Sequence, residues 1–234
     1  MPASPKLRLE GPAAEVPLAL ADLHRNLEVG RSVHIDIAIA LEGEANAPTP
    51  QALVHGGGFD ATRSRAVYRR ARTLPDYVGP EMRILLVGLN PSVYSADVGV
   101  GFARPGNRFW PAMLAAGLVG EARDPRRTLV EHHIGMTDLV KRATARAAEL
   151  DASEFRLGHE RITALVTWLR PTVVCFVGLG GWRAATDRHA VAGVQAQSIG
   201  STIVYVMPNP SGLNAHATVD SLADHFRVVN ELAM

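Results

Sequence analysis

From Leu74 onward, short apolar runs bounded by turn residues alternate with stretches of helical period. Arg83 to Val87, Ile134 to Leu139, Thr172 to Val177 and Ile203 to Met207 read as strands. Between them, Asn107 can cap a helix running to about Leu118. Pro111 is tolerated near its first turn, and Gly117 falls at or near its end. A short helix is expected around 126–132. Ser153 to Leu169 is amphipathic through Phe155, Ile162, Leu165, Val166 and Leu169, and Pro171 stops it. A Gly-rich turn and a short helix near 181–189 follow. Thr218 then opens a last helix that buries Val219, Leu222, Phe226 and Val229. Strands alternating with helices predict a parallel sheet covered on both faces, an α/β fold.

Ahead of Leu74 the pattern changes. Residues 16–27 are spaced as a short amphipathic helix through Val16, Leu20, Leu23 and Leu27. Ile35, Ile37, Ile39 and Leu41 alternate with His34, Asp36, Ala38 and Ala40, as in a half-buried strand. Glu42 to Gly58, rich in Gly, Ala and Pro, reads as a loop or linker. A helix over 61–73 would align Arg65, Arg69 and Arg72 on one face, either to track a phosphate backbone or as a solvated surface. Residues 1–73 thus form an N-terminal extension of unassigned role, and residues 74–234 the main domain.

Composition narrows the classes. A chain of 234 residues with 47% hydrophobic and 20% charged residues is an ordinary globular protein, and a net charge of +1 announces no polyanion partner. The charges are unevenly placed, however. Arg63, Arg65, Arg69, Arg70 and Arg72 stand together without an acid, and five Arg within 104–127 face only Glu121 and Asp124. Local basic surface of this kind can bind phosphate. Cys175 is the single cysteine, which excludes an internal disulfide and a cysteine-based zinc or iron–sulfur site. Its apolar run marks it as a core thiol in a reduced, cytosolic setting. His132, His133, His216 and His225 lack metal-ligand spacing. Met1 to Pro12 has no apolar signal-peptide core, and no apolar stretch reaches spanning length. The expected location is cytoplasmic, with access to chromosomal DNA and no membrane partner.

Candidate chemistry concentrates in two loops. Gly88-Leu89-Asn90-Pro91-Ser92 leaves one strand and leads to Gly101-Phe102-Ala103-Arg104-Pro105-Gly106-Asn107-Arg108-Phe109-Trp110. Pro208-Asn209-Pro210-Ser211-Gly212-Leu213-Asn214 leaves the last strand and echoes the first loop. Rigid polar loops at the carboxyl ends of parallel strands are where an α/β sheet builds its site. Gly178-Leu179-Gly180-Gly181 invites a dinucleotide reading but lacks the third glycine and a following acid.

In order and spacing, these motifs resemble the mismatch-specific uracil/thymine-DNA glycosylase family of the uracil-DNA glycosylase superfamily, over roughly Leu74 to Leu232. The resemblance implies a three-layer α/β/α domain with a short, mainly parallel central sheet. Such an enzyme flips a base from the duplex and hydrolyses its glycosidic bond. It needs a positioned water, donors for the departing anion, an aromatic face for the base and a plug for the vacated stack. By resemblance, Asn90 orients the water, since an amide is a poor base. Leu89, Ser92, Phe102 and Asn107 form the base pocket, with Phe102 the stacking face. Leu213 is the wedge, Gly212 lets the backbone approach the unpaired base, and Asn209, Ser211 and Asn214 contact DNA. Arg104 and Arg108 meet phosphate or brace the pocket.

Several positions depart from the family pattern. Asp97 is acidic where the family is not. It is a second catalytic candidate, able to take a proton from the water or to stabilise the sugar cation, with burial raising its pKa. The opposing reading is a solvated aspartate that caps a turn. Ser92 replaces a glycine and is expected to narrow base selection, against thymine most. Asn214 stands where a small hydroxyl residue is expected. Asp138 and Lys141 exchange the charges carried by a relative, and are expected to form a structural ion pair. No lysine lies in the motif loops, so no Schiff-base lyase step is expected.

The expected activity is therefore monofunctional. It is hydrolysis of flipped uracil in double-stranded DNA, at U·G mismatches with other uracil contexts and T·G as further candidates, leaving an abasic site. No metal or cofactor is expected, and the enzyme is expected to act as a monomer. Two alternatives stay open: a non-catalytic module that senses damaged DNA with the same fold, and a nucleotide-binding α/β protein.

Overall fold

The computed structural model describes residues 5–234. Residues 1–4 of the Met1–Pro12 stretch and the Ile39 side chain lie outside the described part. The N-terminal segment builds a sheet of its own. Strands β1 (Lys6–Arg8), β2 (Ser32–Asp36), β3 (Phe59–Ala61) and β4 (Val67–Arg70) pair in the order β1-β2-β4-β3. Helices α1 (Val16–Arg25) and α2 (Pro50–Gly56) cover one face, closing a core of Val16, Leu20, Val33, Ile35, Leu53, Val54 and Phe59.

Three local expectations change here. The stretch expected as linker contains α2, because Thr49 caps it by accepting from Ala52 N–H, with Pro50 in its first turn. The strand expected from Ile35 to Leu41 ends at Asp36 and gives way to a 3-10 turn at Ile39–Leu41. The helix expected over 61–73 is instead the β3–β4 hairpin. Its turn is closed by Thr62 Oγ1 donating to the Val67 carbonyl and by Ala66 in a left-handed conformation (φ 58°). Arg65, Arg69 and Arg72 therefore share no helical face. The hairpin wins because Tyr68 packs inward against the core while Arg69 between its neighbours faces solvent, a period of two.

The second sheet carries β5 (Ile84–Gly88), β6 (Ile134–Asp138), β7 (Val173–Val177), β8 (Gly193–Val194) and β9 (Ile203–Met207), ordered β6-β5-β7-β9-β8. The first four in that order run parallel, and only the two-residue β8 is antiparallel. Alternate residues of β5 enter two cores. Ile84 and Leu86 pack with Phe109, Trp110, Met113, Leu222 and Phe226 of α4 (Phe109–Ala115) and α8 (Val219–Leu232). Leu85 and Val87 pack with Ile162, Leu165 and Trp182 of α6 (Ala152–Leu169) and α7 (Leu179–Ala185). The result is a three-layer α/β/α sandwich around a mainly parallel sheet. Burying each such Phe, Leu or Ile contributes roughly 1.5–3 kcal/mol. Cys175, in the middle of β7, is fully buried in this core, and burial pushes its thiol far above the usual range.

Two short helices remain: α3 (Val93–Val98), after β5, and α5 (Pro125–His132), before β6. From β5 the chain order proceeds to β6 on one side and to β7 on the other, so β5 and β7 flank the switch point where α/β sheets place ligands. Among the described residues, no helix is long and apolar enough to cross a membrane.

Candidate active site

A cavity of about 860 Å³ opens at the carboxyl ends of β5, β6, β7 and β9. Its wall includes Leu89, Asn90, Ser92, Phe102, Arg104, Asn107, Asp138, Thr144, Arg146, Asn209, Ser211, Leu213 and Asn214. Most of the residues expected at the site thus meet around one space, drawn from loops more than a hundred positions apart.

Asn90 is held by its amide. Nδ2 donates to the carbonyls of Arg142 (2.9 Å) and Pro91 (3.2 Å) and to Thr144 Oγ1 (2.8 Å). Two of these partners are carbonyls, which only accept, so the NH₂ end must face them. No described donor reaches Oδ1, leaving one acceptor in the cavity. The segment holding the amide is itself docked on the first loop, through Val93 N–H to Thr144 O and Thr144 N–H to Pro91 O.

Phe102 takes a left-handed conformation (φ 57°), which turns its ring flat onto Phe109, with centroids 3.9 Å apart and planes 9° from parallel. Trp110 Nε1 donates to the Gly101 carbonyl (2.9 Å) and fixes this turn. One face of the Phe102 ring is therefore covered by the core while the ring lines the cavity. Asn107 Oδ1 accepts from Phe109 N–H (2.9 Å), and the helix it introduces begins at Phe109 rather than at Asn107.

The 208–214 loop is braced from within. Asn209 Oδ1 accepts from Ser211 N–H, Asn214 Nδ2 donates to the Asn209 carbonyl, and Ser211 Oγ accepts from Leu213 N–H. Arg108 Nη1 donates to the carbonyls of Ser211 (3.0 Å) and Asn214 (3.1 Å), so its guanidinium ties the first motif to this loop. Gly212 lies against the Gly106 carbonyl, where a Cβ would stand at 2.8 Å. At the tip Leu213 is 89% exposed, an extreme for a large apolar side chain. At the cavity wall Arg104 and Arg146 are exposed, and among the described residues neither has an acidic partner.

Asp97 does not line the cavity. Ser92 Oγ accepts from Ser95 N–H and caps α3, which carries Asp97 away into solvent. There Arg72 grips it with Nε and Nη2, each 2.6 Å from a carboxylate oxygen. Those hydrogen bonds hold its carboxyl below the usual range, the opposite of the rise expected from burial. Asp97→Asn should therefore leave single-turnover base release indistinguishable from that of the unaltered protein. A large rate loss in a folded variant would return Asp97 to the chemistry.

The Asp138–Lys141 pair is also absent. Lys141 Nζ bonds Asp76 (2.7 Å), which further accepts from Arg161 Nη1 (2.7 Å) and Thr137 Oγ1 (2.5 Å) in a buried cluster. Burial alone would raise the Asp76 pKa, but Arg161 and Lys141 outweigh it and hold the carboxyl low. Asp138, 9% exposed, points into the cavity, and no described donor reaches its carboxylate. Burial, assisted by Asp76 and opposed by Lys141 and Arg161, pushes its pKa up to about 6. It stands beside the Phe102 ring. A Cβ on Gly88 would collide with Asp138 Oδ1 and stand 3.1 Å from Phe102 Cζ, so a side chain there would displace the carboxyl and crowd the ring. Sequence reasoning left Asp138 as half of an ion pair. The signal available was its place as the last residue of a strand that ends at the site.

Among the described residues no group of three or more His, Cys, Asp or Glu could hold a metal ion. The Gly-rich turn at 178–181 opens α7, with Gly181 packed on Leu89 and Leu139.

The model of the uracil DNA glycosylase superfamily matches residues 75–233. The fold and the loop cluster define an α/β protein with a candidate site at the strand ends, and that match places the chain in the uracil DNA glycosylase superfamily. It is accordingly a DNA-repair glycosylase, a hydrolase of the uracil type. Among solved structures, the chain is similar to the solution NMR structure of a "putative Uracil DNA glycosylase" from Methanosarcina acetivorans. The identity is 23%, over 68% of this chain and 98% of that one, with a TM-score of 0.47.

Proposed function

We propose that residues 74–234 form a monofunctional glycosylase of the mismatch-specific type, acting as a monomer on uracil in double-stranded DNA and leaving an abasic site. The observation that carries this reading is the Asn90 amide. Its NH₂ end is spent on the wall, and its unclaimed Oδ1 shares a cavity with the Phe102 ring. A flipped base stacked on Phe102 exposes its sugar to a water accepted by Oδ1. As the glycosidic bond breaks, its electron pair leaves with the base as an anion, the water attacks the oxocarbenium-like carbon, and the proton the water sheds passes to the departed base or to solvent. Asn90 supplies orientation rather than proton removal. Arg104 and Arg146 stand where the flanking phosphates of an entering strand would pass, and Arg108 keeps the wedge loop in place. Ser92, fixed as a helix cap, narrows the rim against a 5-methyl group and favours uracil over thymine.

The test is to incubate the protein, in excess chelator, with duplexes carrying U·G, U·A, T·G and hypoxanthine, and to measure free base and alkali-labile sites. Uracil release in chelator supports the reading. Tight binding to the same duplexes with no base released would make the protein a non-catalytic sensor of damaged DNA, the second reading. Activity lost in chelator and restored by a divalent metal would refute the mechanism.

The exposed tip of the 208–214 loop leads to a further expectation. Leu213→Ala should slow release from duplex DNA by roughly tenfold or more, the scale set by an unstacking cost of a few kcal/mol per step. Release from single-stranded DNA should change little, because no stack has to be held open. Equal losses on both substrates would mean that Leu213 is not a wedge.

A further inference from the structure

The N-terminal sheet supplies no residue to the wall of the cavity, yet it is tied down beside it. Trp168 on α6 packs against the cores of both sheets, Asp22 on α1 pairs with Arg126 on α5 (3.0 Å), and Asp76 N–H donates to the Gly56 carbonyl (2.9 Å). Beyond β4, Arg72 holds Asp97 on α3. There Ala71, Arg72 and Thr73 lie with Lys141, Arg142 and Ala143 around a space of about 300 Å³. The segment at 141–143 runs straight on to Thr144 and Arg146 on the cavity wall. Arg69 is three residues, roughly 10 Å, from Arg72 along the strand direction. Helix α3 covers only about 8 Å between the Ser92 cap and Asp97. The β3–β4 hairpin thus stands at a fixed place within about one helical turn of duplex (~34 Å) from the cavity.

The outer face of that hairpin is made of cations and hydroxyls. An open groove of about 790 Å³ is lined by Ser32 of β2, by Thr62, Arg63 and Ser64 of the turn, and by Arg69 of β4. Arg63, Arg65 and Arg69 are exposed, and among the described residues none of them forms an ion pair. Asp60 stands opposite Arg69 in the ladder and still makes no bridge to it. Arg70 and Arg72, by contrast, are spent on the His24 carbonyl and on Asp97. The turn itself is set, because Thr62 Oγ1 accepts from Ser64 N–H (3.2 Å) while donating to the Val67 carbonyl (2.8 Å). Three like charges on one short ribbon repel each other, and a polyanion laid across them relieves the repulsion. Tyr68 is turned into the core, so the hairpin presents no aromatic face to an unstacked base. Arginines set among serine hydroxyls suit the phosphate oxygens of a paired duplex instead.

We propose that the β3–β4 hairpin is a second DNA contact, which grips the phosphate backbone of intact duplex to one side of the lesion. Arg63, Arg65 and Arg69 supply the charge, and Ser32 and Ser64 supply hydroxyl donors. The partner is the substrate duplex itself, held by its charge and not by its sequence. The inference rests on the glycosylase reading above for the lesion that occupies the cavity. The contact with the flanking duplex needs only that the protein binds DNA. Each arginine that meets a phosphate adds about 0.9 to the slope of log affinity against log salt. A triple variant, Arg63→Gln with Arg65→Gln and Arg69→Gln, should flatten that slope by about 2–3. Its KM for a long duplex should rise on the order of tenfold at low salt, with kcat unchanged, because the hairpin is remote from the chemistry.

The experiment compares the full chain with the triple variant, both shown to be folded by thermal melts. The substrates are U·G duplexes with about 20 base pairs on each side of the uracil, or with one arm or the other cut to about 4, well short of a helical turn. Steady-state uracil release and binding titrations are run over a series of salt concentrations. Cutting one particular arm should raise KM for the unaltered protein to the variant's value, and cutting the other should not. The variant should be indifferent to both cuts. Equal KM and equal salt slope for the two proteins on the long duplex would overturn the proposal and make the arginines a solvated face. So would a variant that loses as much on the duplex lacking the critical arm as on the long one, since the arginines would then act through the fold. A variant weakened toward single-stranded RNA of the same length, and not toward duplex DNA, would overturn it in favour of another partner. If no uracil is released but the binding titrations show the same dependence on one arm, the glycosylase reading falls and the contact stands. Uracil release with no effect of either arm removes the contact alone.

Discussion

Replacing Asn90 by alanine is expected to lower the single-turnover rate of uracil release on the order of 10²–10³-fold, with DNA affinity nearly unchanged. The magnitude is that of losing one preorganised positioning group at a reacting centre. The amide is fixed by Pro91, Arg142 and Thr144 before any substrate arrives, so the entropy of aligning a water is settled in the folded protein. Alanine removes the acceptor and leaves the carbonyls of Pro91 and Arg142 without their donor. Rapid-quench measurements on a U·G duplex, paired with a binding titration, separate the two effects. A variant that releases uracil at the unaltered rate would show that the water is held elsewhere.

The second large effect is on stability. Gly158 lies in the middle of α6, and a Cβ there would collide with the Leu139 carbonyl. The obstacle is backbone, so no rotamer change relieves it. Leu139 and Val140 are also bound through their N–H groups to the carbonyls of Gly88 (2.8 Å) and Leu89 (2.9 Å). Pushing α6 outward therefore strains the carboxyl ends of β5 and β6 together. Gly158→Ala should cost about 3 kcal/mol, at the upper end of ordinary overpacking. For a chain of this size that is a fall in Tm of roughly 10 °C. Thermal unfolding checks it, and an unchanged Tm would mean that the helix can shift freely.

How much of this was legible in the sequence differs by element. The parallel strands announce themselves because both of their faces are buried, so that Val173 to Val177 reads as an unbroken apolar run. The loops at 88–92 and 208–214 were legible because Pro and Gly mark them. The β3–β4 hairpin was not, since a run of arginines carries little apolar contrast and only Val67 and Tyr68 betray the period. For Asp97 the sequence left a catalytic and a solvated reading open, because distance along the chain does not give distance in space. The cap made by Ser92 starts a helix that turns the carboxylate outward. The Asp76, Thr137, Lys141 and Arg161 cluster joins residues up to 85 positions apart. Nothing in a linear pattern says that Asp76, rather than Asp138, takes the lysine. Asp138 gains its character from that outcome, as the acid left without a partner.

The Asn-Pro steps at 90–91 and 209–210 also bear on how the protein ages. Asparagine commonly deamidates when the following backbone nitrogen attacks the side-chain amide, and proline has no N–H to do so. Damage of that kind at Asn90 would set a carboxylate against the carbonyls of Pro91 and Arg142, where only a donor is tolerated. The residue whose chemical decay the site could least absorb is thus followed by the one residue that closes the usual route to it. The proline that stiffens the loop also preserves its chemistry over the lifetime of the molecule.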